Sequence, residues 1–266
     1  IIPKGMEDKV VDEILWEFPR DIVIKDELAM LMLIAGNDWS RPICFANTVP
    51  SSKYVGLDKY MIQEGLVYRF LPVKFEENQR GMMAINADRY MDIVKNKFQY
   101  GNIDKKEMFI DENSARMMNV LKGAHLRLAE DLNASGKNDS AKQILDQVKE
   151  KFIPVNAPYY SPYNSVFNMF NLQWIDIYFR IGDKTGAEQI YSVFLNDLEE
   201  CYKFYSKPTG FAKYYGQEKV AAEEYVRRLE QMGMFYQDSK LLDMLNKKFS
   251  TVVTTSQAPS VNINPN

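Results

Sequence analysis

This 266-residue chain has one histidine, two cysteines and three tryptophans, and Lys plus Arg (33) nearly balance Asp plus Glu (36). Each scarcity excludes something. With His125 alone, any Ser-His-Asp or Cys-His chemistry has a single base to use. That residue falls mid-helix, three positions before the packing position Leu128, which reads as a core histidine. No G-x-S-x-G elbow accompanies it. Two cysteines and one histidine do not supply the four ligands of a structural zinc site, so neither a metal nor another cofactor is expected. Cys44 and Cys201 have apolar neighbours and read as buried thiols rather than a disulfide. The net charge of -3 lacks the concentrated positive field that backbone phosphates require, so nucleic acid is not expected as a partner. No apolar run approaches the roughly 20 residues that cross a bilayer; Leu28–Ala35 is the most apolar stretch. The start, Ile1-Ile2-Pro3, has neither an initiator Met nor a signal-peptide pattern, and reads as a piece or processed product of something longer.

What is present is enough apolar material for a sizeable core, 46% of residues. The fold class is mostly α: an α+β segment over 1–110, tetratricopeptide-like stacked helical hairpins over 111–250, and a disordered tail over 251–266, where Thr, Ser, Asn and Pro show no period. In the first segment Asp26 is placed to cap a helix over Glu27–Ala35. Ile43–Ala46 reads as a buried strand, Leu57–Gln63 as a short helix, and Leu66–Val73 as a strand, with Pro72 marking an edge or an end. Asp88–Phe98 reads as a helix.

From Asp111 the period is helical. Glu112–Ser135 and Ser140–Phe152 flank a break at Gly136. Leu128, Ala129, Leu132, Gly136, Ala141, Leu145 and Val148 follow the tetratricopeptide spacing, with small residues where two helices must approach closely. Trp174, Ile175, Tyr178, Gly182, Ala187, Tyr191 and Phe194 repeat those offsets. The intervening Pro154–Pro162 stretch reads as an enlarged connection. A third pair, about Gln217–Met232 and Ser239–Phe249, lacks the Gly–Ala signature and reads as a terminal cap.

Little of this carries chemistry. Glu76-Glu77, Glu199-Glu200 and Glu223-Glu224 read as solvated surface, because helical neighbours diverge by about 100° and cannot flank one bond. Ser135-Gly136-Lys137 fails as a phosphate loop, with Asp131 and Asn138 in place of the required residues. Asn133-Ala134-Ser135 and Asn138-Asp139-Ser140 fit the glycosylation sequon, a pattern too short to carry weight. Tyr159, Tyr160, Tyr163, Phe167 and Phe170 cluster at the enlarged connection. They form either an aromatic platform for a sugar or peptide or, the simpler reading, packing between repeats. Tyr202, Phe204, Tyr205, Phe211, Tyr214 and Tyr215 pose the same choice. Trp39, Arg41, Tyr68 and Arg69 are a second candidate binding patch.

Three strings, WSRPICFANTVP (Trp39–Pro50), GLDKYMIQEGLVYRFLPVK (Gly56–Lys74) and MFIDENSARMM (Met108–Met118), resemble one family. It is the C-terminal region of bacterial protein O-mannosyltransferase-like proteins, multi-spanning membrane proteins of the GT-C type. Cys44 stands where that family's pattern suggests an aromatic residue. The resemblance implies a periplasmic, extracytoplasmic domain whose partner is the membrane half of the same full-length protein. Catalytic residues of GT-C enzymes lie in that half, so none carries over. The expected function is therefore a non-catalytic accessory domain binding an acceptor protein or glycan. The alternatives are a structural domain packed on the membrane half and an autonomous carbohydrate-active enzyme.

Overall fold

A computed structural model describes residues 2–3, 5–76 and 83–253. The chain divides into two compact units, 1–99 and 100–266. The expected boundary at 110 moves back because residues from Tyr100 onward are built into the second unit. Buried Asn156 donates to the carbonyls of Ile103 and Lys106 at 2.7 and 2.6 Å and accepts from the Met108 amide at 2.8 Å.

The first unit is α+β. Helix α1 (Lys25–Gly36) is followed by β1 (Ile43–Ala46), β2 (Met61–Glu64), β3 (Val67–Phe70), β4 (Ala84–Ile85) and α2 (Ala87–Asn96). The sheet order is β1-β3-β2-β4, antiparallel except for the parallel β2–β4 pair. Gly65-Leu66 turns β2 into β3. Gly65 has φ +69, and a Cβ there would lie 2.8 Å from Ile93 of α2, so both the turn and the helix packing require glycine. Tyr54, Leu57, Tyr60, Met61 and Phe70 form the core, with Met30, Leu31 and Ile34 of α1 packed against it.

Several expectations change. Asp26 does not cap α1; it pairs with Lys53 at 2.6 Å, while the Glu27 carboxylate accepts from the Ile24 amide at 3.3 Å. Glu27 is itself buried against Arg20. The helix expected over 57–63 is one 3₁₀ turn, Asp58–Tyr60, running straight into β2. β1 is only half covered, because it lies at the sheet edge, and this leaves Cys44 exposed. Cys201 is intermediate, and neither cysteine forms a disulfide. Pro72 marks the end of β3, which is a central strand.

The second unit is helical: α3 (Glu112–Ala134), α4 (Asn138–Lys151), α5 (Ser165–Arg180), α6 (Lys184–Tyr205), α7 (Gly216–Phe235) and α8 (Ser239–Val253). They pack as the pairs α3–α4, α5–α6 and α7–α8, and successive pairs touch through α3–α5 and α6–α7. The first two turns are alike. Gly136 and Gly182 have φ +73 and +85, and the following amides, Lys137 and Asp183, donate five residues back to Leu132 and Tyr178. Each turn thus satisfies carbonyls left over at the helix end. The pair expected to be a weak cap has the same turn. Gln237 takes the left-handed position at φ +51, and the Asp238 amide donates to Gly233 at 3.0 Å. α8 continues through Val253 because Val252 turns into the core, so residues 251–253 are helical rather than tail. Glu77, the Phe211 side chain and residues 254–266 lie outside the described residues.

Candidate functional site

Two features of the second unit stand out, one buried and one open. The buried one centres on Lys122 of α3, whose side chain is 0% exposed. Its ammonium nitrogen lies 4.2 Å from the Phe167 ring centre, 4.5 Å from Trp174, 5.2 Å from Tyr159 and 5.8 Å from Phe152. It donates to the Asn171 side-chain oxygen, while the Asn171 amide donates to the Tyr159 carbonyl at 2.8 Å. Ring faces stabilise a cation here, but burial dominates and holds the amine well below the usual lysine range. One turn on, His125 is buried too. The Leu121 carbonyl, 2.7 Å from Nδ1, can only accept, so Nδ1 carries the proton and Nε2 accepts from the Tyr100 hydroxyl at 2.8 Å. Burial, with the neighbouring Lys122 charge, lowers the His125 pKa to about 4. This histidine is a helix-packing residue, as its mid-helix position suggests.

The open feature is a cleft of about 600 Å³ between the N-terminal turns of α3 and α5 and the connection before α5. Ligand sites commonly enclose roughly 300–1,000 Å³. Met118 and Phe167, both buried, lie in its lining, and Phe167 is also a wall of the Lys122 box. Asn119 of α3 and Asn164, the cap of α5, face each other as two amides. Each donates to the other's oxygen, at 3.1 and 3.3 Å. The Asn164 oxygen also accepts the Phe167 amide at 3.1 Å, which fixes it at the start of the helix. Tyr163 stands beside this pair, 70% exposed, with its hydroxyl 2.9 Å from that of Tyr205. Glu112 and Arg116 pair with each other at 2.6 Å in the same lining.

The sequence-derived candidates separate on this frame. Tyr159 and Tyr160 are packing residues, at 2% and 1% exposure, against Trp174 and against Phe194 and Tyr225. Tyr163 alone of the three reaches the cleft. In the first unit, Trp39 stacks on Phe70 with centres 5.6 Å apart, and Tyr68 meets Tyr54 edge-on at 5.8 Å. Arg69 lies next to Tyr68 on β3 and therefore points to the opposite face, where it pairs with Glu64 at 3.6 Å. Arg41 is exposed, before β1. These four side chains do not converge. Among the described residues, no group of three or more His, Cys, Asp or Glu side chains is placed to hold a metal ion.

Sequence reading missed Asn119 and Asn164. Asn164 had a signal, since an asparagine just before an apolar helical run is a cap. Asn119 had none, because its partner is 45 residues away.

Residues 1–93 match the family model of TMEM260-associated domain 2. The match ends inside α2, so it spans most of the α+β unit and less than half of the chain. It makes that unit similar to a domain associated with TMEM260. No curated protein and no solved structure matches the chain. Among the described residues, no helix is long and apolar enough to cross a membrane.

Proposed function

We propose that this chain is a non-catalytic accessory domain of a glycosyltransferase-like membrane protein, held in the periplasm, whose tetratricopeptide-like hairpins bind an acceptor protein. The observation that carries the reading is the match of residues 1–93 to TMEM260-associated domain 2. Two of the strings that resemble O-mannosyltransferase-like proteins, Trp39–Pro50 and Gly56–Lys74, fall inside the matched region. The cleft between α3 and α5 supplies a place for an acceptor.

The test uses the full-length gene product. A phosphatase fused to its C-terminus is expected to be active, as only an extracytoplasmic fusion would be; an inactive fusion in a stable protein overturns the location. Ala115→Trp, on the cleft wall, is expected to lower acceptor glycosylation roughly tenfold, a binding loss of about 1.4 kcal/mol. Unchanged glycosylation in the folded variant removes the cleft from the acceptor's path.

One observation favours a second reading, a structural domain packed on the membrane half. From Leu28 onward α1 is apolar all round. Met30, Leu31 and Ile34 face the core, while Leu28, Met32 and Leu33 are 52%, 67% and 59% exposed, and no charged residue occurs from Leu28 to Gly36. A helix apolar on every side is normally covered. On this reading Leu28→Glu with Met32→Glu lowers the abundance of the full-length protein and leaves the melting temperature of the isolated chain unchanged. Equal abundance of the two full-length forms would rule it out.

A further inference from the structure

We infer that the cleft between α3 and α5 is a binding site for a neutral saccharide, stacked on the Tyr163 ring and hydrogen-bonded by Asn119 and Asn164. The inference rests on the accessory-domain reading and names a ligand class for the cleft.

The hydrogen-bond capacity of the amide pair is the first observation. The Asn164 oxygen has both lone pairs engaged, by Asn119 and by the Phe167 amide. One N–H of Asn164 reaches Asn119, and the other is left over. Asn119 uses one N–H and one lone pair on Asn164, leaving one of each. The pair therefore keeps two donors and one acceptor: the spare N–H of Asn164 lies beside the spare lone pair of Asn119 at one end, and the spare N–H of Asn119 lies at the other. An extended peptide is read by donors and acceptors spaced along an edge, whereas neighbouring hydroxyls of one sugar ring present donors and acceptors together.

The second observation is the aromatic face. Tyr163 is 70% exposed, yet the Tyr205 hydroxyl anchors its hydroxyl end at 2.9 Å. An anchored, uncovered ring suits the apolar C–H face of a pyranose, because it offers a flat surface with little side-chain freedom left to lose. The third observation is charge. The charged side chains in the lining, Glu112 and Arg116, pair with each other, and the remaining polar groups are amides and hydroxyls, including Ser161 and Ser165. The site is built for a ligand without net charge.

The experiment is saturation-transfer NMR on the 266-residue chain, with maltotriose, cellotriose and mannotriose as neutral probes and a sulfated disaccharide as the charged one. The expected result is transfer to ring C–H protons of at least one neutral probe, with Kd in the millimolar range or tighter. Tyr163→Ala abolishes it, Asn119→Ala weakens it about tenfold, and Tyr163→Phe, which keeps the ring, stays within about threefold. Tyr163 is exposed, so the fold survives its replacement, which circular dichroism checks. No transfer from any neutral probe, transfer unchanged in Tyr163→Ala, or preference for the sulfated probe overturns the inference. The same chain is also titrated with an extended, hydroxyl-rich peptide. Peptide binding lost in Ala115→Trp, without saccharide binding, sinks the inference and leaves the acceptor-protein reading standing. Binding of neither sinks both.

Discussion

Lys122 of α3 donates a hydrogen bond to Asn171 of α5, and both side chains are completely buried. Among the described residues no carboxylate shares that interior contact with the amine; its neighbours are four aromatic rings and one neutral amide. A buried lysine without a carboxylate disfavours the folded state as long as it must carry its proton. Lys122→Met is therefore expected to stabilise the chain by about 1 kcal/mol at pH 7, the relief of desolvation exceeding the lost hydrogen bond to Asn171. The sign with pH follows from the lowered pKa. The unfolded chain holds this proton more tightly, so wild-type stability rises as pH climbs toward the ordinary lysine value of 10.5. Urea unfolding between pH 7 and 9.5 should show that rise in the wild type and a flat profile in Lys122→Met.

His125 shifts in the same direction, over a lower stretch of the pH scale. Its pKa falls from 6.5 to about 4 on folding, through burial first and the charge of Lys122 in addition. Stability due to the neutral ring is complete above pH 6.5 and is lost as pH falls through the interval down to 4, by at most about 3 kcal/mol. His125→Gln removes the titration. The stability gap between wild type and variant should shrink between pH 7 and 4.5, with Tyr100 and Gln147 facing the site in both. A constant gap would mean the ring is not neutral in the fold.

Gln237 stands where the other two hairpin turns have glycine, at φ +51 beside +73 for Gly136 and +85 for Gly182. A side chain in the left-handed region costs about 1 kcal/mol or more relative to glycine. Gln237→Gly should raise stability by about 0.5–1 kcal/mol, and Gly182→Ala should lower it by about 1 kcal/mol. Nothing lies within 4 Å of a Cβ built on Gly182, so that loss would be conformational rather than steric.

Gly233 lies against Leu242, and a Cβ on Gly233 would come 2.8 Å from the leucine side chain. Gly233→Ala should be near neutral, within about 1 kcal/mol, because overpacking against the half-buried Leu242 offsets the helix propensity that alanine gains. In a Leu242→Ala background the overpacking is relieved and the same substitution should stabilise, giving a coupling energy of about 1 kcal/mol in a double-mutant cycle. Additive effects would show that the two helices do not approach as closely as the geometry indicates.

That pair explains how the third hairpin hid. In the first two hairpins the large residue, Leu132 or Tyr178, lies four positions before the turn glycine, and the small one, Ala141 or Ala187, five after it. In the third, Gly233 and Leu242 exchange those roles around Gln237, so close approach is kept while the pattern is inverted. The turn is the same, but a glutamine in the left-handed position cannot be foreseen locally. It is held by hydrogen bonds at both ends, Gln237 to Met234 and Asp238 to Gly233.

The sequence by itself determined the class and most of the helices. The 3.6-residue period, the turn glycines and the small residues at Ala141 and Ala187 are local signals, and each reports on its own segment. Of the candidate site it pointed to Tyr163 and Phe167. Only the tertiary structure decided which tyrosines of the connection are core and which is surface, and that Asn119 meets Asn164. The physical reason is the same in each case. Burial and hydrogen-bond partnership belong to residues far apart in the chain, 45 positions for Asn119 and Asn164, and a single strand of sequence carries no record of which amide will find which.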